Sequence, residues 1–329
     1  MTVALKRGSK ATLGLAIGAI LLYLALRQTH WEQIADAVRQ ASWRWIAVAV
    51  GCQAAALLFK ALRLMLLCEG RWHRPKEFAA AIWLGLGANA FIPFRVGEAV
   101  KIAYVAKRAE AGFLKAGLTV FAERVLDFIC LGLLVLSVFL FKNALFLDWA
   151  ANFGTYFADK LPLLAIAIAC FIVLCVTVLV LWRYDVYHLR TRSQEKIMAG
   201  ILRFREALPL LMRHFALAFI ASLCSWASDM AFLGATAAAF GNATALDFGE
   251  LIFTQMVLAF SYLPSVTPGA LGVFELMGLW AFAMLERPKD AALAVLLTAH
   301  GLVYIALFSG MLIAMLRETL TTADKKNKS

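Results

Sequence analysis

Two stretches of this sequence place charged side chains beside proline and glycine within otherwise apolar segments. The first is NAFIPFRVGE, residues 89–98, and the second is SYLPSVTPGALGVFE, residues 261–275. Proline and glycine interrupt a helix, and the backbone N–H and C=O groups that they free can bind a polar ligand where water is excluded. Charge is costly in such surroundings, which favours a functional role for Arg95, Glu98 and Glu275. The two stretches therefore predict a ligand-binding site.

The residue types in these stretches favour a ligand that carries phosphate. Arg95 and Lys101 are expected to hold a phosphate or glycerophosphate group, because a cation in a partly desolvated turn binds phosphate oxygens. Glu98 is expected to pair with one of these cations or to bind an amine. The predicted substrate-binding residues are Asn89, Pro93, Arg95, Gly97, Glu98 and Lys101 around the first stretch, and Pro264, Pro268, Gly269, Gly272 and Glu275 in the second.

A third group of charges, within AERVLDF, completes the predicted substrate-binding set. Glu123, Arg124 and Asp127 share one helical surface, because positions three and four apart are neighbours on a helix. Lys60 or Arg63, in an earlier apolar segment, is expected to balance the net charge of this group. A purely structural role also stays open, since Arg124 lies near the start of its segment and a long side chain can reach the headgroup region.

Familiar catalytic and cofactor motifs do not occur in the sequence. The six cysteines form no C-x-x-C pair, and the five histidines form no H-E-x-x-H run. Residues 85–90 spell G-x-G-x-x-A, but that pattern binds nucleotides only between a strand and a helix. We expect no cofactor, no metal and no catalytic residue. Asp229, with Ser225 and Ser228 nearby, is instead a candidate for proton coupling.

The composition sets the environment in which these residues act. Hydrophobic residues make up 63% of the 329 positions, charged residues make up 16%, and the mean hydropathy is +0.78. Lipid requires every backbone polar group to be satisfied within the protein, so continuous apolar runs of about 20 residues predict helices. The fold class is all-α, a polytopic helical membrane protein. Full spans are predicted at residues 11–26, 44–67, 118–141, 163–182, 213–240 and 291–316, with broken segments at 78–108 and 249–285.

The basic residues predict the orientation. With the N-terminus in the cytoplasm, 22 of the 32 lysines and arginines lie in cytoplasmic segments, as the positive-inside rule requires. This count holds only if each broken segment returns to the side from which it entered. We therefore expect one integral membrane domain over residues 1–329, with both termini cytoplasmic. Its basic parts are an N-terminal tail at 1–10, an amphipathic loop at 183–212 and a C-terminal tail at 317–329, and nothing in them favours nucleic-acid binding.

The two broken segments predict a transporter architecture. The first opens from the cytoplasmic side and the second from the opposite side. Two interrupted segments in the two halves of a chain, entering from opposite faces, are typical of inverted-repeat transporters with a substrate site near mid-membrane.

Several motifs in one order resemble a known family. They are LGANAFIPFRVGEAVKIAYVAKR, AERVLDF and LPSVTPGALGVFE, with ALR at residues 61–63. Together they resemble the membrane domain of bacterial lysylphosphatidylglycerol synthases and their stand-alone relatives. In those synthases the membrane domain is the flippase part, and a separate soluble domain makes the aminoacylated lipid. The resemblance therefore implies a membrane protein that translocates or binds lipid, and we expect this chain to lack the aminoacyl-transfer domain.

The leading hypothesis is a flippase-like transporter, or a lipid-headgroup-binding protein, of the bacterial cytoplasmic (inner) membrane. Its substrate would be a phospholipid, a hopanoid-related lipid or a glycolipid, and its partners are expected to be anionic or glycosylated membrane lipids. Two alternatives stay open: an integral-membrane transferase that uses a lipid-linked donor, and an accessory scaffold in a lipid-synthesis pathway. Formation of a homo-oligomer or a complex with lipid-synthesis enzymes is also left open.

Overall fold

The computed structural model describes residues 15–27, 29–68, 74–93, 95–142, 144–148, 150–151, 213–263 and 267–327, with side chains up to residue 320. These residues contain helices and no strand, which confirms the all-α prediction. The predicted span at 163–182, the loop at 183–212, the N-terminal tail and Pro264 lie outside the described residues.

Ten α-helices, which we number along the chain, make up most of the described part of the molecule, and residues 144–148 and 150–151 are also helical. The first half contains α1 (Leu15–Leu26), α2 (Trp31–Gln40), α3 (Trp43–Leu67), α4 (Pro75–Phe91), α5 (Val96–Arg108) and α6 (Phe113–Phe141). The second half contains α7 (Phe215–Ala239), α8 (Phe248–Ser261), a 3₁₀ turn (Pro268–Ala270), α9 (Val273–Met284) and α10 (Lys289–Asn327). Helices α3, α6 and α7, and α10 as far as Leu320, are long and apolar enough to cross a membrane.

The two broken segments are helical hairpins, as predicted. Hairpin 1 is α4 and α5, and hairpin 2 is α8 and α9. Their arms contain between 12 and 17 residues. At 1.5 Å per residue the longest arm is about 26 Å, less than the roughly 30 Å of a bilayer core. Each segment therefore turns back inside the molecule, and we call the two turns the hairpin tips.

Both tips contain left-handed backbone. In hairpin 1 the chain turns after Pro93, and Arg95 has φ 54° immediately before α5 begins. In hairpin 2 the residues with positive φ are Gly269, Ala270 and Gly272. A helix begins after each tip, and a side chain satisfies a backbone donor there. Asn89 accepts from the Gly97 N–H at 2.7 Å, and Glu275 accepts from the Gly272 N–H at 2.7 Å.

Ion pairs attach the open end of each hairpin to a neighbouring element. At the end of hairpin 1, Arg317 of α10 donates to Glu77 at 2.6 Å, and Arg108 pairs with Glu318. At the end of hairpin 2, Arg287 donates to Glu250 at 3.0 Å. The open ends are thus held by ion pairs.

The N-terminus of α8 gives a test of this anchoring. Asp247 accepts from the Glu250 N–H at 2.8 Å, and Glu250 accepts from the Asp247 N–H at 2.9 Å, which together form a capping box. Lys142 donates to the same aspartate at 2.8 Å, and this hydrogen bond lowers the pKa of Asp247. We expect Asp247→Ala to reduce the free energy of unfolding by about 1 kcal/mol, the usual cost of losing a cap.

The pH dependence of this loss has a definite sign. Because the folded-state pKa is lowered, the ionised cap stabilises the fold above the ordinary aspartate pKa of about 3.9, and this stabilisation is lost as the pH falls through the folded-state value. The difference in unfolding temperature between wild type and Asp247→Ala, measured in mild detergent, should become smaller in acid. A difference that is the same at every pH would contradict a stabilising role for the ionised Asp247 cap.

Candidate functional site

The two hairpin tips contact each other and α10. Arg95, at tip 1, donates through Nη2 to the backbone carbonyl of Tyr262, where α8 ends, at 2.9 Å. Tyr304 of α10 donates to the carbonyl of Pro268 in tip 2 at 3.2 Å. A Cβ atom on Gly269 would lie 3.2 Å from the Cα of Ala90 in α4 and 2.2 Å from the Tyr304 hydroxyl. The glycine therefore allows tip 2 to approach both hairpin 1 and α10.

A cavity of about 240 Å³, which we call the tip cavity, lies between the tips. Two arginines and a carboxylate, Arg95, Arg124 and Glu98, supply its charged lining. Its uncharged polar lining comes from both hairpins and from α10. The lining residues that carry side-chain polar groups are Asn89, Arg95, Glu98, Arg124, Tyr262, Thr267, His300 and Tyr304. The cavity is thus large enough for a small polar group and is lined by elements from both halves of the chain.

A second cavity of about 320 Å³, the side cavity, adjoins the first. The two share Arg95, Arg124 and Tyr262 as lining residues. Phe128, Leu131 and Trp226 contribute to its largely apolar surface. Its charged lining adds Lys60, Asp127 and Asp229. The two arginines therefore stand at the junction of a polar and an apolar space.

A group of paired charges, the charged layer, lies behind the tip cavity. Arg63 of α3 donates to Asp127 at 2.6 Å and to Glu123 at 3.2 Å. Lys101 of α5 donates to the second oxygen of Glu123 at 2.9 Å. Arg124 lies 3.2 Å from Asp127 and 3.6 Å from Glu98. The layer comprises Arg63, Glu98, Lys101, Glu123, Arg124 and Asp127, three cations and three carboxylates.

Burial divides the charged layer into two parts. Arg63, Lys101 and Glu123 are at most 2% exposed, and none of the three lines either cavity. Such ions are stable only when paired, because an unpaired charge in the interior has lost its hydration. Glu98, Arg124 and Asp127 form the other face of the layer and reach the cavities. The inner ions therefore position the outer ones.

Three polar atoms around the tip cavity are buried without a hydrogen-bond partner among the described residues. They are Nε of Arg124, Oγ1 of Thr267 and Oε2 of Glu98, which lies 3.6 Å from Nζ of Lys101. Buried polar groups in proteins are almost always hydrogen-bonded, so these three atoms on cavity-lining residues are candidates for hydrogen bonds to a bound polar group. The set contains an acceptor on Glu98, a donor on Arg124 and a hydroxyl that can do either.

The family described as the lysylphosphatidylglycerol synthase TM region matches residues 11–310 of this sequence. The chain belongs to this family. The resemblance inferred from the motifs is thereby confirmed, and with the apolar helices the family supports a multi-pass membrane protein with a lipid-related function. No curated protein matches the chain.

In this lysylphosphatidylglycerol synthase family member, the structure separates the predicted site residues by location. Asn89, Arg95, Glu98, Arg124 and Gly269 line the tip cavity, and Asp127 and Asp229 line the side cavity. Lys101 and Glu123 lie in the inner part of the charged layer. Four further predicted residues shape the tips from buried positions and do not line either cavity: Pro93, Gly97, Pro268 and Gly272.

One of the two basic residues expected to balance the third charged group does so. Arg63 neutralises the group around Glu123 and Asp127, whereas Lys60 pairs elsewhere, with both carboxylate oxygens of Asp229 at 2.7 and 3.0 Å. Spacing along the sequence could not choose between these two basic residues, since they are three positions apart on α3. The choice depends on which neighbouring helix each one faces.

A second buried pair, Glu275 of α9 and His300 of α10, lies beside tip 2. Glu275 caps the Gly272 N–H and lies 2.6 Å from Nδ1 of His300, and it lines neither cavity. His300 does line the tip cavity and was not among the predicted residues, nor were Tyr262, Thr267 and Tyr304. The signal that could have found His300 is a histidine in the middle of an apolar span, where ionisable residues are rare. Tyr262 and Thr267 lie within the second interrupted stretch itself.

The described residues include no group of three or more His, Cys, Asp or Glu side chains placed to hold a metal ion. The donors at the tip cavity are guanidinium, hydroxyl and imidazole groups, which suit an anionic oxygen ligand more than a cation.

Proposed function

We propose that this protein moves a phosphate-bearing lipid headgroup across the cytoplasmic membrane and binds that headgroup in the tip cavity. The observation that carries the proposal is that Glu98, Arg124 and Thr267, three residues that line one cavity between the two hairpins, each have a buried polar atom without a hydrogen-bond partner among the described residues. A ligand that satisfies all three supplies an acceptor for Arg124 and a donor for Glu98. A phosphate with a neighbouring hydroxyl or amine has both.

The charges around the cavity support the same ligand class. The charged layer is balanced within itself, and Arg95 adds a positive charge at the junction of the two cavities. Arginine binds phosphate through two parallel hydrogen bonds, and the interaction strengthens where water is excluded. Arg95 and Arg124 are therefore assigned to the phosphate, and Glu98 to the hydroxyl or amine.

The side cavity extends this site toward the apolar part of the lipid. Its surface is formed largely by nonpolar side chains, among them Phe128, Leu131 and Trp226. Ligand sites are commonly apolar with a few fixed polar groups that orient the molecule. The glycerol region and the first methylene groups of a lipid would fit there while the acyl or prenyl chains remain in the membrane.

Movement of the headgroup would use the two hairpins alternately. The open ends of the hairpins are attached by ion pairs, and the contacts between their tips include the hydrogen bond from Arg95 to the Tyr262 carbonyl. Separation of the tips is the smallest change that would alter access to the cavity. A charged headgroup meets a large desolvation barrier in bare hydrocarbon, and a cavity with fixed ions and donors lowers it.

The proposal is tested with purified protein in vesicles that contain fluorescent phospholipids. We expect wild type to exchange the labelled lipid between leaflets, measured by quenching of the outer leaflet, and Arg95→Ala to reduce the rate about tenfold or more, as expected for losing a charged contact of 1.5–3 kcal/mol. Arg39→Ala is the matched control, because this arginine of α2 is exposed and pairs only with Asp36 among the described residues. The control should keep the wild-type rate.

Two results would overturn the proposal. Absence of exchange for every phosphate-bearing lipid, in vesicles shown to contain folded protein, would exclude translocation of this class. Equal lipid-exchange rates for Arg95→Ala and Arg39→Ala would show that the headgroup does not bind in the tip cavity. A covalently altered lipid, detected by mass spectrometry in the same vesicles, would instead favour the transferase hypothesis.

A further inference from the structure

His300 faces two hydrogen-bond acceptors at once. Its Nδ1 lies 2.6 Å from Oε1 of Glu275, and its Nε2 lies 3.0 Å from the backbone carbonyl oxygen of Gly269. A carbonyl oxygen only accepts, so Nε2 must carry a hydrogen. The other carboxylate oxygen of Glu275 is already an acceptor, for the Gly272 N–H at 2.7 Å. The contact between Nδ1 and Oε1 therefore needs a hydrogen of its own.

Counting hydrogens identifies a proton that Glu275 and His300 hold in common. If the histidine is a cation, Nδ1 donates to the carboxylate; if it is neutral, a protonated Glu275 donates to Nδ1. Both descriptions contain the same number of hydrogens and the same total charge of zero. Without that proton the histidine carries a hydrogen on only one ring nitrogen. If the hydrogen is on Nε2, the lone pair of Nδ1 faces the carboxylate; if it is on Nδ1, the lone pair of Nε2 faces the Gly269 carbonyl. Neither arrangement satisfies both contacts.

The position of the pair connects its proton to the shape of tip 2. Glu275 is 1% exposed and His300 is 4% exposed, and together they bind both sides of the left-handed turn, at Gly269 and at Gly272. Gly269 and Gly272 have φ of 55° and 80°. Loss of the shared proton would leave a buried negative charge and would break a hydrogen bond that holds this turn.

Several titratable and charged groups surround the pair. The titratable and charged groups that face it across the two cavities, or from neighbouring turns, are Tyr304 on α10, Tyr262 at the end of α8, Arg95 and Glu98 on hairpin 1, Arg124 on α6, and the Lys60 and Asp229 pair of α3 and α7. The Tyr304 and His300 rings are 4.8 Å apart between centroids, and the tyrosine hydroxyl donates to Pro268 in the same tip. His300 lines the tip cavity, which gives its proton a route to water there.

We propose that Glu275 and His300 form a proton-binding site that holds tip 2 closed, and that release of one proton to water in the tip cavity frees the tip. The charge of the pair then changes from zero to minus one. Proton binding and tip opening stand on the geometry alone. The further step, that proton release drives or regulates headgroup movement, rests on the proposed function.

Glu275→Gln provides the decisive variant. The glutamine oxygen can accept from the Gly272 N–H, and its amide nitrogen can donate to a neutral His300 whose Nε2 donates to Gly269. The variant thus keeps every contact of the protonated pair and has no proton to release. Glu286→Gln is the matched control, since it removes an exposed carboxylate at another positive-φ position, after α9.

Hydrogen exchange of the backbone amides in residues 268–276, corrected for intrinsic rates, measures tip opening as a function of pH. We expect wild type and Glu286→Gln to lose protection as the pH rises, with roughly tenfold faster exchange, the effect of losing one or two hydrogen bonds. Glu275→Gln should remain protected throughout. The proposal would be overturned if protection in wild type did not change with pH, or if Glu275→Gln lost protection over the same pH range as wild type.

His300→Phe and the vesicle assay complete the test. The phenylalanine variant cannot bind Glu275 or Gly269, so its tip should exchange quickly at every pH; slow exchange would contradict the assignment. Lipid exchange measured across the same pH range should change with pH in wild type and not in Glu275→Gln. If no lipid moves at any pH while the exchange transition persists, the proposed function fails and the proton site stands.

Discussion

Arg63→Ala is expected to reduce the free energy of unfolding by about 3–5 kcal/mol, the cost of removing one partner from a buried ion pair. Arg63 is 2% exposed and donates to Asp127 at 2.6 Å and to Glu123 at 3.2 Å. Glu123 is fully buried and would keep Lys101 as its remaining cation, whereas Asp127 would keep Arg124. The charged layer would change from neutral to a net charge of minus one, and Glu123 at its centre has no exposure to water that could compensate.

Thermal unfolding in mild detergent checks this prediction, and Lys60→Ala provides the comparison. Lys60 is one turn away on α3, and its pair with Asp229 lies at the side cavity with the two side chains 22% and 26% exposed. Water can solvate the aspartate that remains, so we expect at most about 1 kcal/mol from this substitution, as for exposed ion pairs. Equal losses for Arg63→Ala and Lys60→Ala would show that burial does not set the stability of the layer.

Gly97→Ala is expected to destabilise hairpin 1 by roughly 1–3 kcal/mol or more, the cost of overpacking a close contact. A Cβ atom on Gly97 would lie 1.8 Å from the backbone oxygen of Gly85 and 2.6 Å from Oδ1 of Asn89. The first is backbone and cannot rotate away, so α4 and α5 would have to separate. The hydrogen bond from the Gly97 N–H to Asn89, which organises tip 1, would be lost with that movement.

Gly117→Ala separates this clash from the general effect of replacing glycine. Gly117 lies within α6, and apart from the backbone of that helix no heavy atom of the described residues lies within 4 Å of a Cβ atom placed there. Alanine is the better helix former, so this control should raise the unfolding free energy by about 0.5–1 kcal/mol. Gly97→Ala should also slow lipid exchange in the vesicle assay. A Gly97→Ala protein as stable as Gly117→Ala would contradict the close packing of α4 on α5.

The sequence is sufficient to predict the helices and the breaks in them, because both depend on local chemistry. Apolar runs specify helices in lipid, and Pro93 and the residues around Gly269 cannot continue a regular helix. The sidedness of the membrane, the predicted span at 163–182 and the loop at 183–212 remain predictions. The inverted relation of the two hairpins is also a prediction, although the capping of Gly97 by Asn89 and of Gly272 by Glu275 gives each tip a similar device.

The site is less accessible to sequence reasoning, because it depends on which distant residues meet. Arg124 and Asp127 are neighbours on one helix, so their pairing follows from spacing. Lys101 looks like a phosphate ligand from its position after a break, yet it points away from the cavity toward Glu123, 22 positions later. His300 has no motif around it, and its role emerges only when tip 2 folds against α10.

The contact between α1 and tip 2 also sets an order for assembly. A Cβ atom on Gly272 would lie 2.6 Å from the carbonyl oxygen of Gly18, so the first helix covers a turn that is synthesised about 250 residues later. During synthesis α1 enters the membrane long before tip 2 is made. Hairpin 1 is likewise made before Tyr262, whose carbonyl accepts the hydrogen bond from Arg95. A ribosome that stops before α8 would release a chain in which α1 and tip 1 both lack the partners that hairpin 2 supplies.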